Sequence, residues 1–238
     1  MPLRIGIVGT GDVAHRHYLP AFESLADVMQ ITAVADPREG AGERFAGAVE
    51  AWSPGTRVHR SLEAMLAAGG LDGVFDLTPA PLHGESNRAI LEAGVACYSE
   101  KPLASTVADA DDLIQLAAEC GVLLLCAPGS AVTNRVRWLR DLVESGRLGR
   151  PTLAVAHHAD PGPAAWAEYT GDPAPFYREG VGPVFDQAIR IATPPHAPNR
   201  QRRYGRSVPK VNVEPASIPA RRRTSCACRR RCSTIRGR

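Results

Sequence analysis

A glycine-containing segment near the start of the chain has the residue types and spacing of a phosphate-binding turn. It reads Gly-Thr-Gly-Asp-Val-Ala over residues 9–14 and lies between a predicted strand and a predicted helix. The first glycine allows a tight turn, the second lets a phosphate approach the backbone, and the alanine keeps the helix close to the sheet. N–H groups at the start of that helix, with the positive end of its dipole, then bind anionic oxygens. The residues predicted to bind are Gly9, Thr10, Gly11, Asp12 and Val13.

An acidic residue at the end of the second predicted strand indicates that the ligand is a dinucleotide. Asp36 follows Gly11 by 25 positions, near the spacing at which a carboxylate bonds ribose hydroxyls. Its charge disfavours a 2′-phosphate, although Arg38 lies close enough to weaken that argument. The sequence therefore predicts NAD or NADP as the cofactor, with NAD favoured. The alternative, a glycine-rich turn that binds nothing, is disfavoured by the strand, the helix and the carboxylate together.

The elements around this turn indicate a parallel sheet. Residues 3–127 alternate short apolar runs with helical patterns, which is typical of βαβ units. The fold class is therefore α/β: an N-terminal Rossmann domain with a doubly wound parallel sheet, followed by an incomplete α/β C-terminal domain. The predicted strands are 3–8, 31–35, 71–77, 95–99 and 122–126; the predicted helices are 12 onward (bent or interrupted at Pro20), 62 onward (capped by Ser61), 85–93, 107–120 and 134–145.

Further motifs carry a resemblance to a known family. They are Thr-Pro-Ala-Pro-Leu-His at 78–83, Ser-Glu-Lys-Pro-Leu-Ala at 99–104, and a glycine-containing run that leads to Asp186. With the glycine turn, they make the chain resemble the Gfo/Idh/MocA oxidoreductases over about residues 3–189. The resemblance implies hydride transfer between a nicotinamide cofactor and a hydroxyl or carbonyl of a sugar or polyol.

The resemblance also implies roles for individual residues. Lys101 matches the family lysine that contacts the reacting hydroxyl, and Asp186 matches the catalytic acid. A lysine near the carbinol oxygen can stabilise the negative charge that develops there and assist the proton transfer. For His83, an exposed position at a helix start is the open alternative. The residues that the resemblance places around the cofactor and the lysine are Thr78, Pro79, His83 and Glu100.

The composition changes sharply near residue 190. Residues 191–238 contain 12 Arg and 1 Lys against a single Glu, together with six prolines, and have almost no apolar periodicity. Arg190 also stands four positions after Asp186, where family members commonly carry His. We expect 1–127 to be the dinucleotide-binding domain and 128–190 a linking helix and the start of a substrate or oligomerisation domain. Residues 191–238 are expected to be a disordered, non-native tail from a shifted reading frame, which would impair activity.

Two other functions stay open at this point. A catalytically inactive dinucleotide-binding module would keep the Rossmann domain alone, and a nucleic-acid-binding protein would rest only on the tail arginines. The cysteines of the tail lack a fourth ligand for zinc, so no metal is expected. The longest apolar run is too short to span a membrane and no signal peptide is evident, so we expect a cytoplasmic protein with a small-molecule substrate. Family members form homo-oligomers, but an incomplete second domain argues against one here.

Overall fold

A six-stranded parallel sheet forms the centre of the computed structural model, which describes residues 1–127, 133–150 and 152–153. The strand order is β3-β2-β1-β4-β5-β6, and every neighbouring pair is parallel. This is the doubly wound Rossmann order, so the predicted fold of the N-terminal part is confirmed. The strands are β1 (Leu3–Val8), β2 (Met29–Ala35), β3 (Arg57–His59), β4 (Gly73–Asp76), β5 (Ala96–Ser99) and β6 (Leu124–Cys126).

Helices connect the strands, and several begin at the caps that the sequence predicts. The hydroxyls of Ser61 and Thr106 accept hydrogen bonds from N–H groups three residues later, which satisfies donors that helix starts leave unpaired. The helices are α1 (Leu19–Glu23), α2 (Ala41–Val49), α3 (Leu62–Ala68), α4 (His83–Glu92), α5 (Val107–Cys120) and α6 (Asn134–Glu144), with a π-helical segment at Ala14–Tyr18 and a 3₁₀ turn at Ala80–Leu82.

The sheet is covered on both faces, which explains why its central strands are almost continuously apolar. One face packs against α3, α4 and α5 through buried residues such as Met65, Ile90 and Leu113. The other packs against α1, together with the π-helical segment before it, and against α2 through Phe22 and Phe45. Each fully buried side chain of this size stabilises the fold by about 1.5–3 kcal/mol. The two layers together fix the carboxyl ends of the strands in space.

The structure differs from the sequence prediction at several elements. Sequence patterns predicted nothing between residues 37 and 60, where the structure has α2 and the short strand β3. The first helical stretch runs from residue 12 to 23, and its irregularity is the π-helical segment that precedes Pro20. A proline cannot donate to the carbonyl four residues earlier and crowds it, so a widened turn relieves the conflict. The sequence also predicts a strand over residues 151–159, of which the structure describes only 152 and 153, outside any strand. Asp186 and the tail 191–238 lie outside the described residues.

Candidate active site

The topology gathers the predicted site residues at one edge of the sheet. The chain adds β2 and β3 on one side of β1 and then β4, β5 and β6 on the other side, so the topological switch point lies between β1 and β4. Open α/β sheets bind ligands at the carboxyl edge of such a switch point. The glycine turn follows β1, Asp36 follows β2, Thr78 follows β4 and Lys101 follows β5. Four separate segments therefore meet there.

The two glycines of the turn have different physical reasons to be glycine. Gly9 has a φ of +83°, and a Cβ built on it would lie 2.7 Å from the carbonyl carbon and oxygen of Leu77. The turn is thus wedged against the end of β4. At Gly11 the nearest described atom to a built Cβ is the Arg38 Nη2 at 3.8 Å, so no contact among the described residues requires glycine there. The open space suits a pyrophosphate approaching the backbone, and the residues present fit a bound dinucleotide.

The helical stretch after the turn offers main-chain donors to an anion. It runs without interruption from residue 12 to 23, and the His15 N–H donates to the Gly11 carbonyl at 3.2 Å. The N–H groups of the preceding turn have no intrahelical acceptor, by their position. Asp12, predicted to contact the cofactor, accepts a 2.6 Å hydrogen bond from the Arg16 Nε one turn along. Val13 is half-buried at the same end.

Asp36 is buried and bonded within the chain. Its side chain is 2% exposed, and its Oδ2 accepts hydrogen bonds of 2.9 Å from both the N–H and the hydroxyl of Thr10. Arg38 donates its Nε to Oδ1 at 2.9 Å and its Nη2 to Oδ2 at 2.7 Å. Burial disfavours the charged carboxylate, but the bonds from Arg38 and Thr10 outweigh it and hold the pKa of Asp36 well below its ordinary value. Asp36 therefore fastens the glycine turn to the end of β2.

His83 joins two loops and is not at the surface. It is 1% exposed, with Nδ1 lying 2.6 Å from the Pro102 carbonyl oxygen and Nε2 lying 2.8 Å from the Thr78 carbonyl oxygen. Through these two contacts the ring bridges the loop after β4 and the turn that carries Lys101. The exposed alternative for His83 is wrong, and its geometry favours positioning of the loops over the direct cofactor contact expected from sequence.

The loop after β4 is fixed by a buried carboxylate. Asp76 is fully buried, and its Oδ1 accepts hydrogen bonds from the Thr78 N–H at 3.0 Å and the Thr78 hydroxyl at 2.6 Å. Burial raises the pKa of Asp76, while the charge of His83 and the bonds from Thr78 act in the opposite direction. Pro79 is exposed at the edge beside them. Sequence reasoning missed Asp76, because it reads as the polar end of an apolar strand.

Glu100 holds the turn that carries Lys101. Its Oε2 accepts a 2.9 Å bond from the Lys101 N–H, and its Oε1 accepts a 2.6 Å bond from the Tyr18 hydroxyl. The Glu100 N–H donates to the Asp76 carbonyl at 2.8 Å. Lys101 itself is half-buried. The glycine-turn helix and the lysine turn are therefore joined by one carboxylate.

Tyr18 is a site residue that the sequence did not reveal. Its ring packs on Phe22, Phe75 and Tyr98 at centroid distances of 5.7, 6.0 and 6.1 Å. Burial, followed by the charge of Glu100, raises the pKa of Tyr18 far above its ordinary value, so the hydroxyl stays a donor. Tyr18 and Glu100 are 82 positions apart, and no local pattern links them.

The side-chain amide of Asn87 supports the turn that carries Lys101. Asn87 is fully buried, and its Nδ2 donates to the Ser99 Oγ at 2.9 Å and to the Leu103 carbonyl at 3.0 Å. The Ser99 hydroxyl in turn donates to the Glu100 carbonyl at 2.8 Å. The first two turns of α4 thus hold both sides of the lysine turn, through His83 and Asn87.

The described part of the chain has neither a metal centre nor a membrane-spanning helix. No group of three or more His, Cys, Asp or Glu side chains there is arranged to hold a metal ion. Among the same residues, no helix combines the length and apolar character needed to cross a bilayer.

The match to a family model shows the family to which the chain belongs. The model for the Gfo/Idh/MocA oxidoreductase family, with its NAD-binding Rossmann fold, matches residues 3–127. The chain belongs to this family. As a Gfo/Idh/MocA member it has an N-terminal domain for NAD or NADP, as the sequence predicts.

The relatives of this Gfo/Idh/MocA chain include an inositol dehydrogenase and a dehydrogenase solved with a sugar nucleotide. Inositol 2-dehydrogenase 3 of Saccharopolyspora erythraea is 28% identical over 162 residues, covering 68% of this chain and 46% of the relative. The WlbA dehydrogenase of Bordetella pertussis, solved with NADH and UDP-GlcNAcA, is 29% identical with a TM-score of 0.56, covering 63% of this chain and 41% of that one. KijD10, a 3-ketoreductase of Actinomadura kijaniata solved with NADP and TDP-benzene, is 31% identical with a TM-score of 0.55, covering 61% and 43%. The chain spans about half the length of the curated relatives it matches.

Proposed function

We propose that the chain is an NAD(P)-dependent oxidoreductase that transfers hydride to or from a carbinol carbon of a sugar or polyol. The observation that carries the proposal is the position of Lys101 at the carboxyl end of β5. There it shares one edge of the sheet with the glycine turn and with the loop after β4. Such an edge brings a cofactor, a hydroxyl and a proton-handling group within reach of one another.

The reaction needs a group that accepts one proton in oxidation and donates it in reduction. When bound, the nicotinamide ring accepts or donates the hydride. In the oxidation direction a C–H and an O–H bond break, a carbonyl forms, and the hydroxyl proton must pass to a base. The amine of Lys101, in its neutral form, accepts that proton; in reduction, the ammonium returns it to the developing alkoxide. Asp186, which lies outside the described residues, is proposed as the second acid of the site.

The rarity of lysine supports a specific role for Lys101. Of the 28 Lys and Arg residues in the chain, only Lys101 and Lys210 are lysine. A guanidinium stays protonated at every accessible pH, whereas an amine can give up and regain its proton. One of the two lysines of this arginine-rich chain therefore lies at the carboxyl end of β5, where the proposed reaction needs a group that can exchange a proton.

The contacts around the lysine turn support a preorganised site. Glu100 fixes the Lys101 N–H, Tyr18 fixes Glu100, and His83 fixes the Pro102 carbonyl on the other side. These three residues touch the main chain or the carboxylate beside the lysine, so they act as positioning residues. A reacting group held in this way pays less ordering cost when the substrate arrives.

The substrate class follows from the relatives rather than from a described pocket. The ligands and substrates of these relatives include a sugar nucleotide and inositol. Both offer secondary hydroxyls on a ring, which fits a lysine that handles a hydroxyl proton. We therefore propose a cyclic sugar, free or nucleotide-linked, or a cyclic polyol as the substrate.

Turnover by matched lysine variants tests the proposal. The full chain is assayed for NAD(P)H at 340 nm against a panel of inositols, sugars and sugar nucleotides in both directions. We expect Lys101→Arg, which keeps the charge but cannot release a proton, to lose at least about 100-fold in kcat. Binding of the dinucleotide should stay within a few-fold, and Lys210→Arg should match the parent. Parent-like kcat in Lys101→Arg would refute the proton-handling role.

A further inference from the structure

We propose that Asp76 is a positioning residue for the proposed reaction: its ionised carboxylate holds the loop after β4 in place, and a proton taken up by this carboxylate slows hydride transfer. The inference rests on the proposed function and adds a pH dependence to the same site. It follows from the contacts of the two carboxylate oxygens and from the position of Thr78, which one of them binds.

The two oxygens of the Asp76 carboxylate have different surroundings. Asp76 has no exposed surface, and its Oδ1 accepts hydrogen bonds from the Thr78 N–H at 3.0 Å and from the Thr78 hydroxyl at 2.6 Å. Its Oδ2 is buried and has no hydrogen-bond donor among the described residues. A buried charged oxygen without a donor is costly. Oδ1 therefore holds the loop, and Oδ2 can take up a proton without displacing Thr78.

The strands on either side of Asp76 place no positive charge beside it. Its register partner on β1 is Val8, and its partner on β5 is Ser99, whose hydroxyl donates to the Glu100 carbonyl instead. Cys97, two residues before Ser99, is also buried. Burial raises the pKa of the Cys97 thiol, and the charge of Asp76 raises it further, so this thiol stays neutral. The sheet therefore does not compensate the charge of the carboxylate.

The other ionisable groups on this side of the sheet are His83 on α4 and Cys126 on β6. Burial raises the pKa of Asp76, and the charge of His83 and the bonds from Thr78 oppose that effect only in part. Burial, followed by the charge of Glu100, raises the pKa of Cys126 to about 12, so its thiol is neutral as well. As the pH falls, the folded chain therefore protonates Asp76 before the unfolded chain does.

The position of Thr78 connects this carboxylate to both halves of the site. A Cβ built on Gly9 would lie 2.7 Å from the Leu77 carbonyl oxygen and 2.8 Å from the Thr78 nitrogen, so the glycine turn abuts this loop. On the other side, the His83 ring contacts the Thr78 carbonyl at 2.8 Å and the Pro102 carbonyl, beside the lysine, at 2.6 Å. A change in how Thr78 is held therefore reaches both turns.

A proton on Asp76 weakens the hold on Thr78 without removing it. Hydrogen bonds to an ionised acceptor are about twice as strong as bonds to a neutral one. A small displacement of the loop changes the alignment of the reacting groups, to which the rate of a positioned reaction is sensitive. We therefore expect protonation of Asp76 to lower kcat about fivefold, with little change in dinucleotide affinity, because the carboxylate acts through Thr78.

Backbone amides that donate to different carboxylates give a test that does not require turnover. In the ¹⁵N-labelled full chain, the Thr78 amide shift should titrate with a midpoint above 3.8, the ordinary pKa of an aspartate, and Asp76→Asn should abolish that change. The Thr10 amide donates to Asp36 at 2.9 Å, whose pKa is lowered, so it should titrate below 3.8. A Thr78 midpoint at or below 3.8, or a titration that persists in Asp76→Asn, would overturn the inference.

Steady-state rates in the reduction direction then connect the carboxylate to the reaction. Reduction uses the ammonium form of Lys101, so that lysine limits the rate only on the alkaline side and the acid side reports Asp76. We expect kcat of the parent to fall about fivefold through the midpoint measured at Thr78. Asp76→Asn should give a lower kcat that stays constant over the acid range, with dinucleotide Kd within about threefold of the parent.

Asp72→Asn is the matched control, because Asp72 immediately precedes the same strand at its other end and pairs with Arg4 at 3.1 Å. It should keep the fall in kcat on the acid side. If Asp76→Asn does not fold, the parent decides: equal midpoints for the Thr78 amide and kcat support the inference, and different midpoints overturn it. A fall in kcat that persists in Asp76→Asn would overturn the inference alone. Absence of turnover in the parent with every substrate of the panel would overturn the proposed function with it.

Discussion

The two glycines of the phosphate-binding turn should respond to alanine in opposite ways. Gly9→Ala places a side chain at a φ of +83°, which costs about 1–2 kcal/mol in the left-handed region. Its Cβ would also lie 2.7–2.8 Å from main-chain atoms of Leu77 and Thr78. Main-chain atoms can yield only if the end of β4 moves. We expect a total loss of about 3 kcal/mol or more, or roughly 10 °C in Tm.

Gly11→Ala should leave stability almost unchanged and damage binding. No atom of the described residues lies closer than 3.8 Å to its Cβ, and its φ is not in the left-handed region. We therefore expect a change of less than about 0.5 kcal/mol in unfolding free energy. The methyl group enters the space into which a pyrophosphate must come. We therefore expect the affinity for NADPH and NADH to fall at least about tenfold, or 1.4 kcal/mol.

Thermal unfolding by circular dichroism and fluorescence titration give the two readouts on the same samples. Gly47→Ala is the control, because Gly47 lies exposed within α2 with nothing within 4 Å of a built Cβ. It should raise stability slightly, by about 0.5–1 kcal/mol, and leave binding unchanged. Parent-like dinucleotide affinity in Gly11→Ala would refute the assignment of that space to the phosphates. Parent-like stability in Gly9→Ala would refute the packing argument.

Other contacts of the site give further predictions. The pKa of Asp36 lies below its ordinary value of 3.8, so its ionised form stabilises the fold above about pH 4 and that contribution is lost as the pH falls further. The unfolding free energies of the parent and Asp36→Asn should therefore differ by a constant amount between pH 5 and 8 and converge below pH 4; a gap that widens in acid would contradict this. Tyr18→Phe should lower kcat several-fold, measured by steady-state rates across a pH profile, and should leave the dinucleotide Kd from fluorescence titration unchanged. A change in Kd alone would argue against a role for Tyr18 in positioning the turn that carries Lys101. His83→Phe removes the ring contacts to two carbonyls and should cost about 2 kcal/mol in urea unfolding, while an unchanged midpoint would show that the loops do not depend on it.

Local motifs made part of the site readable from the sequence. The glycine turn, Asp36 and the lysine turn each lie within a few residues of a strand end, so the order of apolar runs was enough to place them together. Parallel strands bring their carboxyl ends to one edge, and the structure confirms that edge for residues up to 127. The strand and helix between residues 37 and 60 were not predicted, because β3 has only three residues and lies at the margin of the sheet.

Contacts between distant segments were not readable. The bond from Tyr18 to Glu100 spans 82 positions, and the bridge of His83 from Thr78 to Pro102 depends on the placement of α4. The bonds from Arg38 to Asp36 were equally hidden, since sequence gives proximity but not which atoms bond. Motifs thus located the site, while packing determined what its charged groups contact.

Amide chemical shifts of the uniformly ¹⁵N-labelled full chain, recorded with and without NADPH, test the central claim most directly. The account predicts shifts for residues 9–13, Arg38, Thr78 and Lys101 at the carboxyl edge of the sheet. Gly69 and Gly70, which precede β4 at the amino edge, should keep their positions at saturating NADPH. Saturable shifts confined to the amino edge, or none anywhere, would contradict the account.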